Sequence, residues 1–158
     1  MNYREAYQGW YQYLAGDAAA KAELDAIAGD EKEIEDRFYQ GLSFGTAGMR
    51  GVLGLGENRM NVYTVRRATQ GLADYLNAHG KNPSVVIAYD SRRQSDVFAM
   101  ETACVLAANG IAAKLFDALR PVALLSFGVR YLQADAGVVI TASHNPPQYN
   151  GYKVYGPD

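Results

Sequence analysis

Two short apolar runs constrain the fold most strongly, because each has the length of a β-strand and offers no polar position to water. They lie at residues 85–89 and 137–140. Such runs are typical of strands that helices cover on both faces. Patterns of helical period and one further strand alternate with them, at about 61–79, 95–108, 111–116 and 121–131. The alternation predicts a layered α/β/α domain with a mainly parallel mixed sheet and right-handed crossovers.

The predicted helix at residues 95–108 carries apolar residues at roughly helical spacing. We expect Val97, Met100, Cys104 and Ala107 to face the sheet. Cys104 is the only cysteine in the chain. An internal disulfide is therefore impossible, which is typical of proteins in a reducing compartment.

Residues 1–40 predict a helical N-terminal extension, which precedes an α/β domain at residues 41–158. The apolar face of the first helix consists of Tyr3, Tyr7, Trp10, Tyr11 and Leu14. This face either docks another domain or subunit, or packs on the extension's own core, and base rates favour the second interpretation. Asp17 and Asp30 are expected to cap two further helices, the latter in a capping box with Glu33. The acidic residues of the third helix are expected to form a solvated face.

The charge of the chain argues against nucleic-acid binding. The formal net charge is −2 at pH 7 and the pI is about 5.7, so there is no basic footprint for a phosphate backbone. No apolar stretch approaches the roughly 20 residues of a membrane helix, and the polar start lacks the apolar core of a signal peptide. We therefore expect a cytoplasmic protein without a nucleic-acid or membrane partner.

Residues 141–153 are expected to leave the second apolar run as a polar loop. Their sequence is Thr-Ala-Ser-His-Asn-Pro-Pro-Gln-Tyr-Asn-Gly-Tyr-Lys. Asn-Pro-Pro and Asn-Gly are turn signals, and the two prolines limit the flexibility of the segment. The segment places Ser143, His144, Asn145 and Lys153 at the end of a strand, where α/β proteins often position chemistry.

The sequence allows three interpretations of Ser143. A hydrolase nucleophile needs a base, but neighbouring side chains on extended backbone point apart, so His144 is poorly placed, and there is no Gly-x-Ser-x-Gly elbow. A phosphoserine would have its charge offset by Lys153, with loop N–H groups holding its oxygens and His144 facing the substrate. A structural serine would only bond its own backbone. The Asn-Gly-x-Lys continuation favours the phosphoserine.

Two further segments contribute candidate residues. Residues 42–55 are glycine-rich and are predicted to be irregular, and within them Arg50 is either an anion clamp or a surface charge. Asp90 and Arg92 follow the first apolar run, at the edge where such sheets bind ligands. We expect Asp90 and Arg92 to form a structural ion pair that fixes the loop beside Ser143.

Two motifs resemble the α-D-phosphohexomutase superfamily, which contains the phosphoglucomutases and phosphomannomutases. Thr-Ala-Ser-His-Asn-Pro, followed by Asn-Gly-Tyr-Lys-Val-Tyr, is similar to the family's phosphoserine loop. Phe-Gly-Thr-Ala-Gly-Met-Arg-Gly at residues 44–51 is similar to the family's amino-terminal Phe-Gly-Thr-x-Gly-x-Arg-Gly segment. Gly-Glu-Asn-Arg-Met-Asn at residues 56–61 looks most like the phosphoglucomutase/phosphopentomutase branch.

The resemblance implies the N-terminal domain of a phosphosugar mutase. Such an enzyme moves phosphate between the 1- and 6-positions of a hexose through a phosphoserine and a sugar bisphosphate, which also serves as activator. Mg²⁺ would bind the phosphate on Ser143 and an Asp-x-Asp-x-Asp loop that is absent from this sequence. The partners would be a sugar phosphate and further domains of the same chain. The implied catalytic residues are Ser143, His144, Lys153 and Arg50, and the implied phosphate-binding residues are these four with Thr46 and Asn145.

Alternatives to this function remain open. The same mechanism would serve a pentose, as in a phosphopentomutase. The loop would also suit a non-catalytic module that binds sugar phosphates, and a serine hydrolase would need a histidine within reach of Ser143. The isolated 158-residue chain is expected to have no mutase turnover, because the implied sugar-reading and metal-binding parts belong to other domains.

Overall fold

A five-stranded sheet with helices on both faces forms the body of the protein. The computed structural model describes residues 2–46 and 48–157. The elements in chain order are α1 (Tyr3–Tyr13), α2 (Ala18–Ala26), α3 (Glu31–Phe38), β1 (Met49–Val52), α4 (Val62–His79), β2 (Ser84–Tyr89), α5 (Ser95–Ala108), β3 (Ala112–Leu115), α6 (Val122–Tyr131), β4 (Ala136–Ile140) and β5 (Tyr149–Tyr155). The strand order is β1-β5-β4-β2-β3. In this described part, no helix is both long enough and apolar enough to cross a membrane.

The sheet is mixed, and four of its five strands run in one direction. β2 is parallel to both β4 and β3, whereas β5 is antiparallel to both β4 and β1. Helices α4 and α5 bury residues such as Val65 and Phe98 against Ile87 on one face. Helix α6 buries Leu125 against Val86 on the other face. Because Val86 and Ile87 alternate across a sheet that is covered twice, the predicted layered α/β/α architecture is confirmed.

Helix α5 turns a different face to the sheet from the one predicted. The predicted inward residues point outward: Val97 and Met100 are 44% and 54% exposed, and Cys104 and Ala107 are also exposed. Apolar residues lie on nearly every side of this helix, so its periodicity indicates no single buried face. The buried residues are Phe98, Ala99, Thr102 and Leu106.

Two strands lie where the sequence predicted irregular chain. β1 falls within the glycine-rich segment, and β5 occupies the second half of the predicted loop at 141–153. Gly151 explains the second error, because a Cβ there would lie 2.6 Å from the carbonyl oxygen of Thr141 and 2.9 Å from that of Met49. This glycine therefore marks a close approach of three strands and not a turn. Lys153 is consequently a strand residue, paired with Val139.

The three N-terminal helices pack around one apolar core, which Leu55 and Tyr63 from the following residues complete. Tyr7, Leu24 and Phe38, one from each helix, are buried in the same cluster. The packing interpretation of the apolar face of α1 is therefore confirmed.

Asp17 and Asp30 cap α2 and α3 as predicted, since Asp17 accepts from two backbone N–H groups of the first turn and Asp30 accepts from the N–H of Glu33. The predicted capping box is not completed, because the N–H of Asp30 donates to the carbonyl oxygen of Ile27 and the carboxylate of Glu33 accepts from arginines.

The acidic face of α3 is exposed as predicted at Glu31, Glu35 and Asp36, but the prediction missed its contacts with a buried arginine. Arg59, which is 6% exposed, donates to Glu33 at 3.2 Å and to Asp36 at 2.6 Å. Glu33 also accepts from Arg37 at 2.7 Å, and this hydrogen bond is the main reason why the pKa of Glu33 lies below its ordinary value. A nearly buried guanidinium needs such partners, so these carboxylates tie α3 to the segment before α4.

The buried face of α5 can be tested with two substitutions on that helix. Leu106→Ala should lower the free energy of unfolding by about 2–5 kcal/mol, because it leaves a cavity in the core. Met100→Ala, at a position 54% exposed, should change it by less than about 0.5 kcal/mol. Urea denaturation measures both values, and equal losses would contradict the orientation described for α5.

Tyr152 should make the stability of the fold depend on pH in the alkaline range. Its side chain is buried, its hydroxyl group accepts a hydrogen bond from Thr69 at 3.0 Å, and burial raises its pKa to about 12 from an ordinary value of 10.0. As the pH rises, Tyr152 therefore ionises at lower pH in the unfolded chain than in the folded protein, which favours unfolding. Stability should therefore be fully retained below pH 10 and fall by up to about 1.4 kcal/mol per pH unit between pH 10 and 12.

The Tyr152→Phe variant should lose this part of the pH dependence. Urea denaturation of both proteins at pH 9 and pH 11 measures it, since all other titrating groups are shared. Tyr131→Phe, at an exposed position, is the matched control and should follow the wild-type profile. A Tyr152→Phe profile identical to the wild type would show that Tyr152 does not couple to folding.

Candidate functional site

Two loops meet at the carboxyl edge of the parallel strands. Residues 90–94 follow β2 and residues 141–148 follow β4, and they are neighbours because Tyr89 pairs with Ile140. Sheets of this kind usually bind ligands at this edge. Ser143 lies exposed in the second loop with φ at +57°. This left-handed conformation costs a residue other than glycine roughly 1 kcal/mol or more, so contacts elsewhere must hold the loop.

Arg92 supplies most of these contacts. The guanidinium of Arg92 lies 3.5 Å from the carboxylate of Asp90. Asp90 in turn accepts a hydrogen bond from the Ser95 hydroxyl group at 2.7 Å. The predicted structural role of Asp90 and Arg92 is therefore confirmed, although the contacts to the loop backbone are shorter than the ion pair. Four carbonyl oxygens of the loop accept hydrogen bonds from Arg92 at 2.6 to 3.0 Å, those of Ser143, Asn145, Pro146 and Tyr149.

The loop also satisfies two of its own N–H groups. The N–H of Ser143 donates to the hydroxyl oxygen of Thr141 at 3.0 Å, and the N–H of Asn145 donates to the carbonyl oxygen of Ala142 at 3.0 Å. These two groups are engaged within the loop and are not directed at a ligand, in contrast to the prediction that loop N–H groups hold phosphate oxygens. Side chains must supply more of any anion binding than the sequence suggested.

Arg50 reaches the loop from β1. It pairs with Gly151 on β5, and the absence of a Cβ on Gly151 leaves room for its alkyl chain, since that Cβ would lie 3.1 Å from Arg50 Cγ. The Nη1 atom of Arg50 donates to Asn145 Oδ1 at 3.0 Å. The Nε atom of Arg50 is buried without a hydrogen-bond partner among the described residues.

Lys153 lies on the same face of the sheet as Arg50. Lys153 and Gly151 are two residues apart on one strand, and Gly151 shares its face with the paired Arg50. The ion pairs formed between described residues include neither Arg50 nor Lys153. Two cationic side chains therefore share this face without a described carboxylate partner, which suits an anionic ligand.

Thr46 and His144 are exposed at the periphery of this arrangement. Gly45 and Gly48 exchange two backbone hydrogen bonds on either side of Thr46. Gly48 has φ at +91° and lies against Lys153, because a Cβ on Gly48 would lie 2.8 Å from Lys153 Cγ. Gly48 therefore lies beside Lys153, whereas the described contacts do not connect Thr46 or His144 with the hydroxyl group of Ser143.

The geometry does not form a hydrolase site at Ser143 within the described residues. The hydrogen bonds recorded for Ser143 involve its backbone N–H and its carbonyl oxygen, and a Ser–His pair of the hydrolase type is not among them. Activation of a serine for attack on a carbonyl group requires such a pair. The described contacts therefore give no support to activation of Ser143 by His144.

Asn150 is a site residue that the sequence analysis did not single out. It is fully buried, and its amide group donates to the carbonyl oxygen of Arg93 at 3.0 Å and to the hydroxyl oxygen of Ser95 at 2.9 Å. Asn150 thus ties the start of β5 to the loop after β2. The Asn-Gly dipeptide was its only sequence signal, and it was interpreted as a turn.

Comparison with known proteins identifies the family and the fold of this chain. A family model described as phosphoglucomutase/phosphomannomutase, alpha/beta/alpha domain I, matches residues 41–158. A phosphoglucomutase of Staphylococcus epidermidis is 56% identical over 127 residues, which are 80% of this chain and 23% of that protein. A phosphoglucomutase of Staphylococcus aureus is 48% identical over 144 residues, which are 91% of this chain and 26% of that protein.

A solved structure agrees with these relatives. The crystal structure of a protein from Thermus thermophilus, assigned as a phosphomannomutase, superposes with a TM-score of 0.69 at 37% identity. The match covers 73% of this chain and 26% of that one. Fold and site define an α/β domain with an exposed serine loop at the carboxyl edge of its parallel strands and two cationic side chains on the adjoining strands β1 and β5. The chain belongs to the phosphoglucomutase/phosphomannomutase family, in which it corresponds to the N-terminal domain, and it spans about a quarter of the length of the curated relatives it matches.

The Arg92 contacts can be tested by their effect on the mobility of the loop. Arg92→Met should increase amide hydrogen exchange in residues 141–149 by roughly tenfold or more, because four carbonyl oxygens lose a charged donor. Arg93→Met is the matched control, since Arg93 is the exposed neighbour and should leave exchange unchanged. Exchange that rises equally in both variants would show that Arg92 does not hold the loop.

Proposed function

We propose that this chain carries the reactive serine of a phosphosugar mutase, in a longer protein that moves phosphate between the 1- and 6-positions of a hexose. One observation carries the proposal: an exposed Ser143, held in a left-handed conformation by Arg92, lies two residues from the Asn145 side chain that contacts Arg50. The relatives described as phosphoglucomutases support the same reaction class.

The proposed reaction has two phosphoryl transfers. In the first, the bond between phosphorus and Ser143 Oγ breaks and a bond forms between phosphorus and a hydroxyl oxygen of a sugar monophosphate. The proton of that hydroxyl group passes to a base, for which His144 is our candidate because its imidazole is exposed beside Ser143. Ser143 Oγ leaves with the electron pair of its bond to phosphorus and takes up a proton, so one proton moves from the sugar hydroxyl group to Ser143 overall. The resulting sugar bisphosphate reorients, and Ser143 Oγ attacks the other phosphoryl group; the bond from phosphorus to the sugar oxygen breaks, and the serine proton passes to that oxygen. The same bisphosphate would act as activator by phosphorylating a free Ser143.

Charge neutralisation and positioning are the main demands of phosphoryl transfer. Arg50 and Lys153 would stabilise negative charge on the transferring group, since both share a face and neither has a described carboxylate partner. Thr46 would add a hydroxyl group for the same phosphate. These roles follow from the position of each residue, and each of them belongs to the proposal.

Mg²⁺ is part of the proposal, but the described residues do not form a complete site for it. Within residues 2–46 and 48–157, no three acidic, histidine or cysteine side chains come together as a possible metal site. A hard cation needs several oxygen ligands, and here only a phosphate on Ser143 would provide one. When bound, Mg²⁺ would act as a Lewis acid on the phosphoryl oxygens. Its other ligands would have to come from outside the described residues.

The proposal predicts a phosphate on Ser143 of the longer protein that contains this chain. Mass spectrometry of the peptide that spans residues 131–153, from protein isolated from its host, should find the phosphate on this serine. Ser143→Ala should lower kcat for the conversion of glucose 1-phosphate by about 10³-fold or more, because the covalent carrier is lost. Ser91→Ala, at an exposed serine of the neighbouring loop, should keep wild-type turnover.

Normal turnover of the Ser143→Ala protein would overturn this mechanism. An unmodified Ser143, still unmodified after incubation with a sugar bisphosphate and Mg²⁺, would favour a non-catalytic module that binds sugar phosphates. A higher kcat/KM for ribose 1-phosphate than for glucose 1-phosphate would assign a phosphopentomutase. The isolated 158-residue chain should show no turnover above a mock preparation.

A further inference from the structure

The side chain of Asn145 contacts Arg50 in a way that fixes the orientation of its own amide group. The Nη1 atom of Arg50 lies 3.0 Å from Asn145 Oδ1. Arginine has only donors, so the atom of Asn145 that faces it must be the oxygen. The amide nitrogen of Asn145 therefore points away from the guanidinium, and the oxygen acts as an acceptor for Arg50.

Asn145 is unusually well held for a residue on an exposed loop. Its N–H donates to the carbonyl oxygen of Ala142 at 3.0 Å and its own carbonyl oxygen accepts from Arg92 at 2.6 Å. The N–H and the carbonyl group of Asn145 are thus both hydrogen-bonded, so the backbone from which its side chain extends is held in place. The loop is also tied to β2 through Arg92 and Asp90, so the position of the Asn145 oxygen is set by the sheet.

Arg50, in contrast, has little else to hold its charged end. Its backbone belongs to β1 and its alkyl chain crosses Gly151. Beyond that point, Asn145 is the one hydrogen-bond partner recorded for the guanidinium among the described residues, and Nε is buried without a partner. A long side chain with one anchor keeps several rotamers unless that anchor selects one.

We propose that Asn145 is a positioning residue, whose side-chain oxygen holds the Arg50 guanidinium in place beside the Ser143 loop. The inference deepens the proposed function and rests on it, because the arginine so placed is the one that would meet the phosphoryl group. It also replaces the expected role of Asn145 as a direct phosphate ligand. Asn145 acts through its acceptor oxygen on Arg50, and its donor nitrogen is dispensable.

Substitutions of Asn145 separate the two roles. Asn145→Asp keeps the acceptor oxygen but removes the N–H donor and adds a negative charge. Asn145→Ala removes both groups. A positioning role predicts that Arg50 stays in place in the Asn145→Asp variant and is released in the Asn145→Ala variant. A role only as direct phosphate ligand predicts no effect of either substitution on Arg50 in the absence of phosphate, because Arg50 would then not depend on the Asn145 oxygen.

The experiment measures the reactivity of Arg50 towards phenylglyoxal, an arginine reagent, in the whole chain without substrate. Peptide mass spectrometry gives the rate of modification at Arg50, with exposed Arg93 as internal reference. Asn145→Ala should raise the rate at Arg50 roughly two- to tenfold, the equivalent of losing one hydrogen bond. Asn145→Asp should leave it at or below the wild-type rate. Gln148→Ala, at an exposed position of the same loop, should match the wild type.

This readout needs neither turnover nor a phosphate on Ser143, so it can fail independently of the proposed function. An unchanged rate at Arg50 in Asn145→Ala, with far-UV circular dichroism showing an intact fold, would overturn the positioning role and leave the mutase proposal standing. A rate that rises equally in the Asp and Ala variants would also overturn it, because the acceptor oxygen would then be irrelevant. If both variants behave as predicted but Ser143 is never phosphorylated, the contact between Asn145 and Arg50 stands and the mutase proposal is rejected.

Discussion

The guanidinium of Arg92 is the contact on which the arrangement of the site depends. It gathers four carbonyl oxygens that lie within seven residues of chain, from Ser143 to Tyr149, and so replaces the regular hydrogen bonding that a loop lacks. The left-handed backbone of Ser143 would otherwise leave this segment strained. Because Arg92 itself follows β2 and contacts Asp90, the shape of one loop is determined by the neighbouring strand.

The sheet face that carries Arg50 and Lys153 depends equally on the absence of a side chain at Gly151. Gly151 sits between Thr141 and Arg50 with no space for a side chain, and the strands can approach each other only for that reason. The same lack of a side chain lets the alkyl chain of Arg50 lie across the sheet and reach Asn145. One glycine therefore serves both the packing of β1, β5 and β4 and the orientation of a charged group.

The sequence predicts the interior of this fold better than its edges. The strands β2 and β4 and the caps at Asp17 and Asp30 follow from local rules, since burial on both faces and capping leave clear patterns. β1 and β5 do not, because the glycines that allow close strands also resemble turn signals. The orientation of α5 was missed because both of its sides are apolar, and the partner of Glu33 was missed because Arg59 lies 26 residues away in sequence.

For the site, the sequence predicts the residue types but not their geometry. The motifs identified Ser143, Lys153 and Arg50 as a group, and the structure places Arg50 and Lys153 on one face and joins Arg50 to the loop of Ser143. Sequence could not reveal that two loop N–H groups are already engaged, or that Asn145 faces Arg50, since both depend on the backbone path after Thr141.

The position of β5 has a consequence for motion. This strand is hydrogen-bonded along both of its edges, to β1 and to β4, so the backbone of Lys153 cannot shift unless the sheet opens. The backbone of Ser143 is bound through Arg92 to the same sheet. The residues that carry the hydroxyl group (Ser143) and the ammonium group (Lys153) are thus both attached to backbone that the same sheet holds in place. A ligand that binds at this edge therefore meets Ser143 and Lys153 at positions set by one sheet, and any adjustment of fit falls to the ligand or to side chains.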